Sequence, residues 1–117
     1  MPLTELAARL EANSSAWGTL SGQACIARLH PATNDVEQAF VLDPKSARVH
    51  WLSGDLAQVR ISYATTPVAL AASQGVWNQA FSGAETFQAL YLMGHIHARG
   101  SAQDLLVLSA ALCRLLA

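Results

Sequence analysis

His95 and His97 stand two residues apart, and in a β-strand that spacing puts both imidazoles on one side, roughly 6 to 7 Å apart. Zinc needs at least a third ligand, and no Cys, His, Asp or Glu close by in sequence supplies one. The expectation is therefore a pair of solvent-facing histidines and no metal site. His30 and His50 fall at the end of one strand and within another, and nothing brings them to the pair. Nucleophile motifs are thin: Gly18-Thr19-Leu20-Ser21-Gly22 lacks the Gly-x-Ser-x-Gly spacing, and no glycine loop suits a phosphate. Asp43, Asp55, Glu85 and Asp104 sit at turns or helix starts, where capping explains an acid as well as catalysis would. Cys25 and Cys113 are far apart and read as two buried thiols of a reducing compartment. These positions predict no catalytic residue, no metal and no cofactor.

The seven basic residues are scattered singly among 117, so no run of them tracks a phosphate backbone, and nucleic acid is not expected as a partner. Eight acids leave a formal net charge of -1. Only 13% of residues are charged and 52% are hydrophobic, where a soluble domain usually carries about 25% charge. Such a chain hides apolar surface or offers it to something. The apolar runs, at residues 68–72 and 105–108, fall far below the ~18 residues of a membrane span. The first residues, Met1-Pro2-Leu3-Thr4-Glu5, lack the basic and apolar regions of a signal peptide, so a cytoplasmic protein is expected.

Leu3, Leu6, Ala7 and Leu10 recur at helical spacing and predict an N-terminal helix over residues 3–12. Strands are predicted at 24–30, 36–42 and 47–52, the last ending in a Ser53-Gly54-Asp55 turn. In residues 57–63, Ala57, Val59, Ile61 and Tyr63 alternate with Gln58, Arg60 and Ser62, which predicts a fourth consecutive antiparallel strand. Thr66-Pro67 reads as the start of a helix over 67–74 that stops at Gly75. Trp77 and Phe81, then Phe87, Leu90 and Tyr91, mark further helical turns. Residues 94–99 alternate as a fifth strand with Ile96 and Ala98 on one side. Ser101-Ala102-Gln103-Asp104 then caps a closing helix striped by Leu105, Leu108, Leu112 and Leu115. One domain over residues 1–117 is expected, without linker or repeat.

Leu92-Met93-Gly94-His95-Ile96-His97-Ala98-Arg99-Gly100-Ser101 and the leucine-rich helix after it resemble the closing segment of the sterol-carrier-protein type-2 domain family. Residues 52–61, from Leu52-Ser53-Gly54-Asp55 onward, look like that family's glycine-aspartate turn. Leu20-Ser21-Gly22 is similar to its accessory members in bacterial ubiquinone biosynthesis. Ser101 departs from the aspartate common there, and residues 75–86 look longer. Over about residues 18–116 the resemblance implies an α+β sandwich: a five-stranded, mostly antiparallel sheet with helices packed on one face. Between its layers it implies a tunnel for an acyl chain, a sterol or an isoprenoid quinone. The apolar residues then expected to meet a lipid are Ile61, Tyr63, Leu70, Trp77, Phe81, Phe87, Leu90, Tyr91, Met93, Ile96, Leu108 and Leu112. Trp77 and Phe81 would line a tunnel mouth under a lid of residues 67–83, with Trp17 outside it. The resulting expectation is a non-catalytic lipid carrier. The alternative is an interaction module with a filled core that forms a homodimer or docks on a partner enzyme. A continuous apolar cavity of about 300 Å³ or more separates the two.

Overall fold

Three strands open the sheet where alternation and turn residues place them. In the computed structural model, which describes residues 2–52 and 54–116, these are β1 (Ala24–Leu29), β2 (Val36–Asp43) and β3 (Arg48–Trp51). Helix α1 (Leu3–Ala12) precedes them, burying Leu3, Leu6, Ala7 and Leu10 on one stripe, and a 3₁₀ turn (Ser14–Ala16) follows it. The next two elements reverse the sequence expectation. Residues expected as a fourth strand form α2 (Leu56–Thr65), and those expected as a helix form β4 (Val68–Ser73).

Both reversals have local causes. The Asp55 side chain accepts the Gln58 N–H at 2.8 Å and caps α2, and Val59 and Tyr63, one helical turn apart, face the sheet. Ile61 belongs to the same apparent alternation but is 63% exposed. Thr66 ends the helix in extended conformation, as the residue before Pro67 must. In β4 the alanines are strong helix formers taken singly, yet residues 68–72 are all buried because the strand is central and packed on both faces. Gly75 is accordingly no stop; it lies inside α3 (Gln74–Ser82), capped by Ser73. The turn expected at Ser53 involves a residue outside those described.

After α3 come α4 (Phe87–Leu92), the short β5 (His97–Arg99) and α5 (Ala102–Leu116). The sheet order is β3-β2-β1-β4-β5. Three pairings are antiparallel and one, β1 with β4, is parallel, so the sheet is mixed. Reaching β4 from the far edge requires the chain to cross the sheet, and α2 makes that crossing. The helices therefore occupy both faces, not one. Behind α2 lies a small core of Cys25, Ala27, Leu29, Val36, Ala39, Val41, Val59, Ala69 and Ala71. The alternate residues of the same strands, with Ile26, Phe40, Leu42 and Leu70 among them, build the main core with α1, α3, α4 and α5. Two buried indoles are fixed there: Trp17 Nε1 donates to the Leu10 carbonyl (2.8 Å) and Trp77 Nε1 to the Ala27 carbonyl (3.1 Å). The accessible surface is 6132 Å², matching the ~6,100 Å² that size scaling gives a folded chain of this mass.

Ile96 is buried in the main core, and His95 and His97 are exposed, as the sequence indicates. Cys25 is buried, but Cys113 is exposed, contrary to the expected pair of buried thiols. Because Ile96 sits inside packed apolar surface, Ile96→Ala is expected to cost about 2 to 5 kcal/mol. His95→Ser and His97→Ser should each stay within about 0.5 kcal/mol. Chemical denaturation of the three variants checks both statements, and a histidine change costlier than the isoleucine change would contradict the facing of this segment.

Candidate functional site

Helix α5 is apolar on more of its circumference than a helix packed on one core requires. Leu108, Ala111 and Leu112, with Asp104, form the stripe buried in the main core. Beside it runs a second stripe of Ala102, Leu105, Leu106, Ser109, Ala110 and Cys113, at spacings of three and four. This second stripe is one wall of a cleft of about 650 Å³. The other wall is α4, through Phe87, Gln88, Tyr91 and Leu92, and the floor is Leu70 of the inner strand β4 and Gly100 just after β5. Small side chains on α5, Ser109 and Ala110 among them, help to leave this space open. The rim is apolar as well, with Leu92 74% and Leu106 69% exposed.

Three local features hold the walls. The Thr86 hydroxyl accepts the Ala89 N–H at 3.1 Å and starts α4, whose inner side chains Phe87 and Leu90 enter the core. At the floor, Gly100 has φ +137°, and a Cβ there would lie 3.1 to 3.2 Å from Val68, so both conformation and space call for glycine. The Ser101 hydroxyl accepts the Asp104 N–H (3.2 Å) and starts α5. The Asp104 carboxylate in turn accepts the Ser101 hydroxyl (2.9 Å) and, from a loop 83 residues earlier, the Ser21 N–H (2.9 Å) and hydroxyl (2.6 Å). The Ser21 side chain and backbone bonds outweigh the penalty of burial and hold this carboxyl below the usual range. Asp104 is thus more than a capping residue: it ties the last helix to the segment entering β1.

The expected lipid contacts separate into three groups. Leu70, Phe87 and Tyr91 meet in the cleft. Trp77, Leu90, Ile96, Leu108 and Leu112 are buried in the main core beneath it, and Phe81 stacks on Trp77 with centroids 6.0 Å apart. Trp77 therefore lies at no tunnel mouth, and the expected lid fails with it, since residues 68–73 of that segment are the inner strand β4. Met93 is exposed and outside the cleft lining, while Ile61 and Tyr63 lie across the sheet on α2. Sequence reasoning missed Gln88, Leu92, Leu106, Ser109, Ala110 and Cys113. The available signal was the run of apolar residues around the whole of α5, which one core cannot absorb.

Cys25 and Arg99 have structural surroundings that account for them. Burial pushes the Cys25 thiol up to about 12, with Arg99 acting more weakly in the opposite direction. The Arg99 guanidinium lies 5.0 Å over the Tyr63 ring and donates to the carbonyls of Tyr63 and Thr66, fastening β5 to the end of α2. Among the described residues no three His, Cys, Asp or Glu side chains gather as metal ligands. No described helix is long and apolar enough to cross a membrane.

No protein-family model and no curated protein matches this sequence. Solved structures do match its fold. A palmitated sterol carrier protein 2-like 2 from Aedes aegypti superposes with a TM-score of 0.65 at 18% identity, over 96% of this chain and 95% of that one. Sterol carrier protein-2 from Aedes aegypti, in complex with palmitate, gives 0.61 at 13% identity over 93% and 88%. The apo form of sterol carrier protein 2 from Yarrowia lipolytica gives 0.56 at 14% identity over 92% and 77%. The fold is that of sterol carrier protein 2 domains, an α+β arrangement on a five-stranded sheet.

The carboxylate that anchors α5 makes stability depend on pH in a defined direction. Asp104 titrates lower in the folded chain than in the unfolded one, so its contribution is complete above the unfolded value of about 3.9 and is lost as pH falls through the lower folded value. Asp104→Ala, which leaves Ser21 without its acceptor, should destabilise by about 1 to 3 kcal/mol at neutral pH. The gap between parent and variant should narrow below about pH 4. Urea titrations at several pH values measure it, and a gap that widened on acidification would refute the role given to the carboxylate.

Proposed function

We propose that this chain is a lipid carrier that shields the apolar part of a single lipid in the cleft between α4 and α5, with no covalent step. The observation that carries this reading is the cleft itself: about 650 Å³, walled by apolar side chains of two helices and floored by the sheet. Small-molecule sites span about 300 to 1,000 Å³ and combine apolar walls with a few polar groups. Here the lining residues with polar groups are Gln88, Tyr91, Ser109 and Cys113. Burial of each methylene contributes about 0.8 kcal/mol, so a chain of 14 to 16 carbons gains roughly 11 to 13 kcal/mol before ordering costs. Those costs are several kcal/mol, which leaves micromolar affinity, about 8 kcal/mol. Two free cysteines, one of them exposed, suit a reducing compartment such as the cytoplasm. The palmitate complexes of two proteins with this fold support the same reading.

The alternative of an interaction module draws on the exposed Leu92, Met93 and Leu106. The open cleft beside them favours the carrier. Titration with long-chain acyl lipids, a sterol and an isoprenoid quinone should show saturable binding with Kd in the micromolar range by calorimetry or displacement of a fluorescent lipid. A hundredfold excess over Kd should add about 2.7 kcal/mol to stability. Ser109→Trp and Ala110→Trp, which fill the cleft from its wall, should each lower affinity at least about tenfold while the circular dichroism spectrum stays unchanged. No binding and no thermal shift across the panel would turn the assignment to the interaction module.

A further inference from the structure

Resting on the carrier reading, we infer that the cleft selects lipids with an uncharged headgroup, such as an alcohol, sterol or quinone, over lipids carrying a free carboxylate. Every side chain that lines it is neutral, and its hydrogen-bonding groups are the Gln88 amide, the Ser109 and Tyr91 hydroxyls and the Cys113 thiol. An alcohol or carbonyl oxygen can be matched by one amide or hydroxyl. A carboxylate drawn among apolar walls loses hydration that these groups replace only in part.

The charges around the cleft point the same way. The starts of both wall helices, where partial positive charge would otherwise favour an anion, already carry carboxylates. Asp104 lies in the first turn of α5, held ionised by Ser21 and Ser101, and Glu85 accepts the Thr86 N–H immediately before α4. Neither helix start is therefore left free to attract an anionic headgroup. The cation next to the floor, Arg99, is engaged with the Tyr63 and Thr66 carbonyls on the opposite side of the sheet. Arg114, in the last turn of α5, is exposed and does not line the cleft.

The test uses one chain length with two headgroups: dodecanoate and 1-dodecanol, each below its aggregation limit, at a pH well above the carboxylate pKa, displacing an uncharged fluorescent lipid. The alcohol should bind at least about tenfold more tightly, which corresponds to about 1.4 kcal/mol. Ala110→Lys, which adds an ammonium to the wall, should bring dodecanoate level with the alcohol, while Arg114→Ala should leave the parent ratio unchanged. Equal or tighter binding of dodecanoate by the parent overturns the selectivity and leaves the carrier assignment standing. A ratio that shifts in Arg114→Ala, or fails to shift in Ala110→Lys, also overturns it, because the headgroup is then elsewhere. Binding of neither ligand removes the carrier reading and the selectivity with it.

Discussion

The parallel pairing of β1 with β4 forces most of the architecture. β3 lies at the far edge, two strands removed from β4 in the sheet order, so the connection between them must pass over a face. That crossing is α2, and it buries a face that a plain meander would have left to solvent. With both faces covered, β1 and β4 carry apolar side chains on both sides, and the small alanines among them let the layers approach. The low charge content of the chain is a direct consequence. Little of the sheet is left to present polar residues to water.

Once α2 has taken one face, α1, α3, α4 and α5 must share the other. Its central part is filled by Trp17, Trp77, Phe40 and the leucines packed around them, which leaves α4 and α5 at the β4–β5 side of the sheet. β5 is only three residues long, and beyond it Gly100 lies at the floor of the cleft between the two helices. The cleft is thus a product of layer geometry as much as of its own side chains. Asp104 keeps it from collapsing or drifting, since the helix that forms its longer wall is fastened at its first turn to Ser21.

Much of this was legible from residue spacing: α1, the first three strands, the inward Ile96 between outward histidines, and the capped final helix. The failures at residues 56–65 and 68–73 share a cause. Val59 and Tyr63 satisfy a period of two and a helical turn equally well, and only the burial of Val59 against the exposure of Ile61 separates the two. Residues 68–72 form an apolar run too short to declare its period, and its choice is made by partners on both sides, β1 and β5, that lie far away in sequence. The candidate site was legible where large residues mark it, at Leu70, Phe87 and Tyr91. It was illegible where space itself is the feature, at Ser109, Ala110 and Gly100, because a small residue announces a cavity only after its neighbours are known.

The distribution of ionisable groups carries the functional argument one step further. Three ionisable groups serve the fold: the buried Asp104 joins α5 to the loop before β1, the exposed Arg99 joins β5 to α2, and the Cys25 thiol is kept protonated by burial. None of the three is aimed into the cleft. The cleft offers neutral hydrogen-bonding groups, apolar walls and an exposed leucine rim. What such a surface can discriminate is shape, chain length and the cost of desolvating a headgroup. Recognition by exclusion of water requires that the rim stay apolar even in the empty state, and the exposure of Leu92 and Leu106 is the standing cost of that requirement.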